Sequence, residues 1–300
     1  MSAIDLSGRV ALVTGGGRGI GLAIAEALHG CGARLVIADC GTGIGGEGAD
    51  PSVAEAVAAR LGGAAHVESI ASPASAQAAV ALARKRFGGL DILVNAAAIL
   101  RDGFVFKQDP ADWEAVIRNN LSAAFYTTSA ATPVMRDQAK AGRGGDPYRW
   151  GRILNIVSTA GFYGNFGQAA YASAKAGLFG LTRVTAMDMQ RSNVTCNAIA
   201  PFAHTRVTDT IQPANPAQAA YKERALKIGA APVGALVAKL CGPAAEKITG
   251  QLLGVRGRET FVFSQPRPVA RALDGDLAAL SPAFIALDTD LEAFNTDPVL

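Results

Sequence analysis

The chain carries little charge, and its charged residues form no cluster. Lys and Arg number 28 and Asp and Glu 25, so 18% of the 300 residues are charged and the net charge is +3. A nucleic-acid-binding surface normally shows as a concentrated basic face, and the basic residues here are scattered. Half of the residues are hydrophobic, which allows a large core and excludes disorder throughout. The composition predicts a globular protein that handles a small ligand.

Long hydrophobic runs and metal-type cysteine patterns are also absent. Asp5 and Arg9 interrupt the segment in which a signal peptide would need an apolar core. The longest uncharged run, residues 153–174, contains polar residues and glycines, so it is not expected to span a bilayer. The cysteines are expected to be reduced thiols; they are Cys31, Cys40, Cys196 and Cys241. We therefore expect a cytoplasmic protein without a bound metal.

Short aliphatic or β-branched runs alternate with Ala-rich stretches of helical length. Strands are predicted at residues 9–13, 34–38, 64–70, 90–95, 152–157 and 193–199, and helices at residues 20–28, 53–61, 75–87, 111–136 and 169–189. Such alternation implies right-handed crossovers between parallel strands, and the apolar strands fit burial on both faces. The sequence thus predicts an α/β fold with a single Rossmann-type, doubly wound parallel sheet and helices on both faces.

A glycine-rich turn follows the first predicted strand. Residues 14–21 read TGGGRGIG and lead into a helix, so the backbone can approach a pyrophosphate lying at the positive end of that helix. Asp39 ends the second strand, where a carboxylate accepts hydrogen bonds from adenosine ribose hydroxyls and repels a 2′-phosphate. Arg18 argues the other way, because a guanidinium pairs well with a 2′-phosphate. We give Asp39 the greater weight and predict NAD as the cofactor.

Tyr171 and Lys175 lie one helical turn apart on one face of a predicted helix. A free tyrosine, with a pKa of about 10, is a poor base at neutral pH. A nearby ammonium and a positively charged nicotinamide are expected to lower the pKa of Tyr171. Tyr171 then exchanges a proton with an alcohol whose hydride leaves, while Ser158 hydrogen-bonds the same oxygen. The three residues predict hydride transfer between an alcohol or ketone and a nicotinamide.

These motifs, with LVNAAA at residues 93–98, Asn120 and CNAIAP at residues 196–201, resemble the short-chain dehydrogenase/reductase family. The resemblance implies that Asn120, Ser158, Tyr171 and Lys175 are catalytic, with Asn120 fixing a water that relays protons through Lys175. It implies a homodimer or homotetramer paired through the helices at 111–136 and 169–189. It also implies cofactor contacts from Gly15, Arg18, Gly19, Ile20, Gly21, Asp39, Ser69, Ile70, Asn95, Ala96, Ala97, Tyr171, Lys175, Pro201 and Thr205.

A narrower resemblance rests on a glycine loop (residues 41–52), AAILRDG at 97–103, residues 161–181 and APFAHTRVT at 200–208. These segments are similar to the (3R)-hydroxyacyl-CoA dehydrogenase unit of the type-2 multifunctional enzyme of β-oxidation and to its single-domain bacterial relatives. The similarity implies oxidation of a (3R)-3-hydroxyacyl-CoA to the 3-oxoacyl-CoA with NAD. A hydroxysteroid or other cyclic alcohol is the second substrate considered. An NADPH-dependent 3-oxoacyl reductase and a non-catalytic NAD-sensing protein are further alternatives.

The chain departs from the family pattern near the cofactor. Ala96 and Ala98 replace an amide and a glycine, Ser69 stands in place of an adenine-contacting aspartate, and Phe202 replaces a glycine. These changes bear on cofactor affinity, whereas the four catalytic positions are kept. Four cations are available for the phosphates of a CoA, although none is assigned to such a site: Arg101, Arg206, Lys222 and Lys227.

Three segments interrupt the alternation of strands and helices: the glycine loop, residues 137–150 and the tail after Gln265. Such segments serve as binding loops, lids, subunit contacts or solvated insertions, and the sequence does not decide between these alternatives. The predicted organisation is one dinucleotide-binding catalytic domain over residues 1–265, with a substrate lid at about 208–229, and a C-terminal extension over 266–300.

Overall fold

A computed structural model describes residues 4–145, 147–204, 216–273 and 277–283. The strands that it describes form one sheet in the order β3-β2-β1-β4-β5-β6-β7-β8. Neighbouring strands are parallel except β7 and β8, which are antiparallel. The strands are β1 (Val10–Thr14), β2 (Arg34–Ala38), β3 (Ala64–His66), β4 (Ile92–Asn95), β5 (Gly151–Ile156), β6 (Val194–Phe202), β7 (Leu252–Arg256) and β8 (Glu259–Val262).

Helices cover both faces of this sheet. They are α1 (Gly19–Gly30), α2 (Ser52–Arg60), α3 (Pro73–Phe87), α4 (Pro110–Ile117), α5 (Ala123–Lys140), α6 (Ala160–Tyr163), α7 (Ala169–Asp188), α8 (Pro216–Leu226), α9 (Ala231–Cys241) and α10 (Leu277–Leu280). Apolar residues of α1, α2 and α9 pack against one face, and those of α3 and α5 against the other. The predicted doubly wound α/β fold is therefore confirmed.

The far edge of the sheet differs from the prediction of parallel strands alone. Gly257 has a φ of +52° and lies in the short turn between β7 and β8, so the chain reverses and β8 adds an antiparallel edge. Turns with positive φ match the twist of two antiparallel strands, which explains the glycine. None of β7, β8 and α9 was predicted; β7 has five residues and β8 four, too few for a clear hydrophobic pattern.

Two predicted strands have different ends in the structure. β3 stops at His66 rather than at residue 70, because only three of its residues pair with β2. β6 continues to Phe202 rather than ending at residue 199. Pro201 is tolerated there because β5 ends opposite Ile199, so this part of β6 has only β7 as a neighbour.

The helix predicted over residues 111–136 is three pieces. A π-helical turn, Arg118–Ser122, joins α4 to α5, which runs through Pro133 as far as Lys140. Such insertions in helices often occur at functional sites. The sequence has no glycine or proline at the turn to announce it.

The polar segment at residues 137–150 is anchored away from the carboxyl ends of the strands. Arg143 Nε lies 3.2 Å from Asp91 Oδ1, and the Tyr148 hydroxyl donates to the same oxygen at 3.1 Å. Asp91 directly precedes β4, at the amino end of the sheet, and is fully buried. The described residues of this segment therefore pack at the amino-terminal end of the strands.

Within the described ranges, no helix combines the length and hydropathy needed to cross a membrane. The same residues contain no group of three His, Cys, Asp or Glu side chains placed to hold a metal ion. All four cysteines are free, and burial raises the pKa of Cys241 to about 12.

Candidate active site

A cavity of about 350 Å³ lies at the carboxyl ends of the parallel strands. Most of the residues predicted from the sequence line it: Gly15, Arg18, Gly19, Ile20, Gly21, Asp39, Ser69, Ile70, Ala96, Ala97, Ser158, Tyr171, Lys175 and Pro201. Crevices at this edge of doubly wound sheets are the usual ligand sites of the fold. The structure thus brings together segments far apart in sequence, while the roles of these residues stay predictions.

The glycine turn after β1 packs closely against the segment that follows β4. Gly15 has a φ of +64°, and a Cβ there would lie 2.8 Å from the Cα of Ala97. Arg18, the residue before α1, makes no side-chain cap hydrogen bond to the helix, and the first N–H groups of a helix have no partner within it. A pyrophosphate fits this position because free N–H groups and the helix dipole both favour an anion.

Asp39 lies at the end of β2, directly beside the glycine turn. Its Oδ2 accepts a hydrogen bond from Gly17 N at 2.9 Å, and its Oδ1 accepts one from Gly41 N at 2.8 Å. A carboxylate has about four acceptor positions, so two remain for ribose hydroxyls. Arg18 donates from Nη1 to the Thr42 carbonyl at 3.3 Å. An adenosine ribose therefore fits the carboxylate, and the guanidinium uses one of its five N–H donors on the glycine loop.

Tyr171 and Lys175 meet Ser158 inside the cavity. Lys175 donates from Nζ to the Ile156 carbonyl at 2.8 Å and lies 5.6 Å from the centre of the Tyr171 ring. Burial lowers the pKa of Lys175 to about 8. Burial raises the pKa of Tyr171 to about 12, a rise that the Ser158 hydrogen bond reduces and the Asp102 carboxylate adds to.

The expected lowering of the Tyr171 pKa does not occur in the protein alone. Desolvation of the phenolate is the largest cause of the raised pKa of Tyr171, and burial also lowers the pKa of Lys175. The sequence argument counted the charge of Lys175 and left out the burial of both groups. A cation next to the phenol would act in the opposite direction to burial.

The side chain of Asn120 hydrogen-bonds the backbone and does not line the cavity. Its Oδ1 accepts from Ile99 N and its Nδ2 donates to Ile99 O, both at 2.8 Å, and the residue is 1% exposed. Asn120 lies in the π-helical turn, and its neighbour Asn119 lines the cavity. The side chain of Asn120 thereby ties this turn to the segment that follows β4.

Asn95 faces away from the cavity. Its amide donates to Thr128 and Asn155, and its carbonyl accepts from Thr127 at 2.6 Å, all within the core. Both N–H donors of the Asn95 side chain are therefore already bonded and cannot serve the cofactor. The amide instead stabilises β4 against β5 and α5. Thr205 lies outside the described residues, as does the part of the predicted lid before residue 216.

Sequence reasoning missed part of the cavity wall. Lining residues that were not named individually are Thr42, Gly43, Ile44, Ile99 and Asn119. The glycine content of residues 41–52 was the one available signal for the first three. Ala225 and Ile228 also line the cavity, and both fall in the segment 208–229 that was predicted as a substrate lid. Of the cations considered for CoA, Arg101 bonds Gly45 and Asp112, and Lys227 Nζ lies 3.3 Å from Glu223. Arg206 lies outside the described residues.

Comparison with known proteins gives consistent matches. A family model described as short chain dehydrogenase matches residues 9–218. The chain is 39% identical over 261 residues to the 3-oxoacyl-(acyl-carrier-protein) reductase FabG of Aquifex aeolicus, a match that covers 85% of the chain and 98% of that protein. It is 37% identical over 265 residues to the hydroxyacyl-CoA dehydrogenase ChsB1 of Mycobacterium tuberculosis, covering 87% of the chain and 81% of that protein.

Two further matches extend this likeness. The peroxisomal multifunctional enzyme type 2 of Mus musculus is 39% identical over 215 residues, which are 71% of the chain but 28% of that enzyme. The solved structure of a short chain dehydrogenase from Mycobacterium avium has a TM-score of 0.75 and 35% identity, and the match covers 94% of each chain. The chain therefore belongs to the short-chain dehydrogenase family, and it is an oxidoreductase that acts on CH–OH groups with a nicotinamide cofactor.

Proposed function

We propose that the protein is an NAD-dependent dehydrogenase that oxidises a (3R)-3-hydroxyacyl-CoA to the 3-oxoacyl-CoA. The choice of NAD rests on Asp39. Its carboxylate accepts hydrogen bonds from the backbone N–H groups of Gly17 and Gly41 beside the glycine turn. A 2′-phosphate at this position would meet a negative charge, whereas ribose hydroxyls would donate to it. The likeness to hydroxyacyl-CoA dehydrogenase ChsB1 and to the multifunctional enzyme supports the substrate class.

The proposed chemistry uses the side chains already placed in the cavity. When bound, the nicotinamide accepts the hydride. Ser158 hydrogen-bonds the substrate oxygen, and Tyr171 takes the hydroxyl proton at its phenolic oxygen. Lys175 passes that proton towards solvent, and Asn120 holds the π-helical turn beside this route. Burial raises the pKa of Tyr171, and the positive charge of a bound nicotinamide would act in the opposite direction and favour the phenolate that accepts the proton.

A second candidate is an NADPH-dependent 3-oxoacyl reductase. Arg18 lies in the glycine turn and lines the cavity, where a guanidinium would attract a 2′-phosphate. The FabG likeness supports the same reaction class. The carboxylate of Asp39 would nevertheless repel a 2′-phosphate at this position, so NAD is the preferred cofactor.

The test is the absorbance of NADH or NADPH formed from NAD or NADP with a panel of (3R)-hydroxyacyl-CoAs and hydroxysteroids. We expect turnover with NAD and the acyl-CoAs. Turnover with steroids alone would remove the CoA substrate, and a preference for NADP would remove the role given to Asp39.

Tyr171→Phe separates catalysis from NAD sensing. The variant should lose about 10²–10⁴-fold in kcat, because it removes the proton acceptor, and keep its affinity for NADH. NADH fluorescence titration measures that affinity. A variant with unchanged turnover would contradict the assignment of Tyr171.

We further propose that residues 1–265 form the catalytic domain, with residues 208–229 as its lid and residues 266–300 as an extension. A homodimer or homotetramer is proposed on the apolar side chains that α5 and α7 expose, among them Phe125 and Met187. Exposed apolar groups of this size commonly mark contacts between subunits.

A further inference from the structure

The glycine loop (residues 41–52) crosses the cavity from β2 to the segment after β4. The Ile44 carbonyl accepts from Leu100 N at 2.8 Å, although β1 lies between β2 and β4 in the sheet. The loop must therefore pass over the glycine turn that follows β1. Thr42, Gly43 and Ile44 line the cavity on this side. The loop forms a roof above the position that Asp39 offers to a ribose.

Arg101 fastens the roof at its middle. Its Nε donates to the Gly45 carbonyl at 2.7 Å, and its Nη1 makes an ion pair with Asp112 of α4 at 2.9 Å. The guanidinium thus joins the loop to a helix through two groups with a fixed angle between them, which a lysine does not reproduce. A glycine-rich segment loses much conformational entropy when it is ordered, so an anchor has a large effect on how often it opens.

We propose that Arg101 is the latch of this roof and sets the rate at which a bound dinucleotide leaves. The loop covers the adenosine end of the cavity, so a dinucleotide held below it departs only after the loop opens. The inference depends on the dinucleotide site and not on the alcohol that the enzyme oxidises. Arg101 is therefore a positioning residue for the loop, and its Nε and Nη1 donors are already bonded.

The test compares Arg101→Met with the wild type by stopped-flow displacement of NADH, followed by its fluorescence. The dissociation rate constant should rise about tenfold, because the charge-assisted hydrogen bond from Arg101 to the Gly45 carbonyl is lost and only partly replaced by water. Arg101→Lys keeps a charge for Asp112 but cannot reach both partners, so it should also release NADH faster. Asp112→Asn keeps the bond to Gly45 and should give a smaller increase.

The matched control is Arg60→Met. Arg60 makes an exposed ion pair with Glu26 at 2.8 Å, between α2 and α1, and does not touch the glycine loop. Its NADH dissociation rate should equal that of the wild type. An Arg101→Met rate within twofold of the wild-type value would overturn the proposal.

Amide hydrogen exchange supplies a readout without any turnover. In the wild type with NADH, residues 41–48 should be protected, and Arg101→Met should lose that protection while the amides of β1 keep theirs. If Arg101→Met does not fold, Asp112→Asn is judged by the same two measurements. If the wild type binds NADPH in place of NADH, the cofactor proposal fails, and the latch is judged from the ratio of NADPH dissociation rates.

Discussion

At the scale of single residues, burial decides the chemistry that charge alone does not. Tyr171 and Lys175 carry the spacing expected of an acid and its partner, yet their pKa values move to about 12 and about 8 because both groups are desolvated. The sequence identifies the pair but not its surroundings. A cation bound beside the phenol would lower the pKa of Tyr171 and favour its phenolate form.

The pKa of Lys175 predicts how stability depends on pH. Its folded-state pKa is about 8, below the usual 10.5. Between these values the unfolded chain keeps a proton that the folded chain has released, so the free energy of unfolding rises as pH increases from 8 to 10.5. Lys175→Met should remove up to about 3 kcal/mol of this rise, taking 1.36 kcal/mol for each pKa unit.

Urea unfolding near pH 8 and pH 10 measures the effect. The exposed Lys247 provides the control, since Lys247→Met should keep the wild-type dependence. An equal rise in the wild type and Lys175→Met would show that Lys175 is not the source.

At the scale of elements, the π-helical turn joins the cavity to the core. Asn120 satisfies both backbone groups of Ile99, so this one side chain fixes the distance between the turn and the end of β4. Asn120→Ala should destabilise the protein by about 1–3 kcal/mol, because two buried backbone groups lose their partners. It should also lower kcat more than KM changes.

Asn119→Ala is the comparison for stability. The Asn119 side chain donates a single hydrogen bond, to the Ala115 carbonyl at 2.9 Å. The free energy of unfolding should therefore fall less in Asn119→Ala than in Asn120→Ala. Denaturant titrations of both variants decide the order, and a larger loss in Asn119→Ala would refute the role given to Asn120.

The edge strand β8 is held by an aromatic side chain over a glycine. Phe261 pairs with Gly254 of β7, and its ring occupies the space that a Cβ would take; it also lies 5.8 Å from Phe202 on the cavity wall. Phe261→Ala should cost about 2 kcal/mol of unfolding free energy through lost apolar burial. Val262→Ala on the same strand, where Val262 is 63% exposed, should cost much less. Thermal unfolding of the two variants checks the difference.

At the scale of the whole molecule, α5 and α7 expose apolar side chains that a second copy would cover. Phe125 is 52% exposed, Val184 56% and Met187 73%. A double Val184→Glu and Met187→Glu variant should shift the protein towards monomers, because two carboxylates would have to be desolvated at the contact. Light scattering measures the mass.

Val269→Glu serves as the matched control, since Val269 is 82% exposed but lies in the tail. A monomeric wild type would refute the proposed assembly. A double variant that remained a dimer would refute the assignment of the contact to α5 and α7.

The sequence by itself determined what depends on local spacing. The turn at residues 14–21 and the pair Tyr171 and Lys175 were predicted because backbone angles and one turn of helix fix their geometry. Asp39 was identified for the same reason, as the residue that ends a buried strand beside the turn. The alternation of strands and helices then determined the doubly wound sheet.

Only the tertiary structure decided what depends on distant partners. Asn95 was predicted at the cofactor but bonds Thr127, Thr128 and Asn155 in the core. Arg152 is fully buried and donates to the Gly151 carbonyl in β5 and to the Leu240 and Gly242 carbonyls at the end of α9. The glycine loop lies over the cavity because the strand order brings Leu100 and Arg101 into hydrogen-bonding distance of Ile44 and Gly45. Hydrogen-bond partners separated by tens of residues follow from strand order and register, which local sequence patterns do not encode.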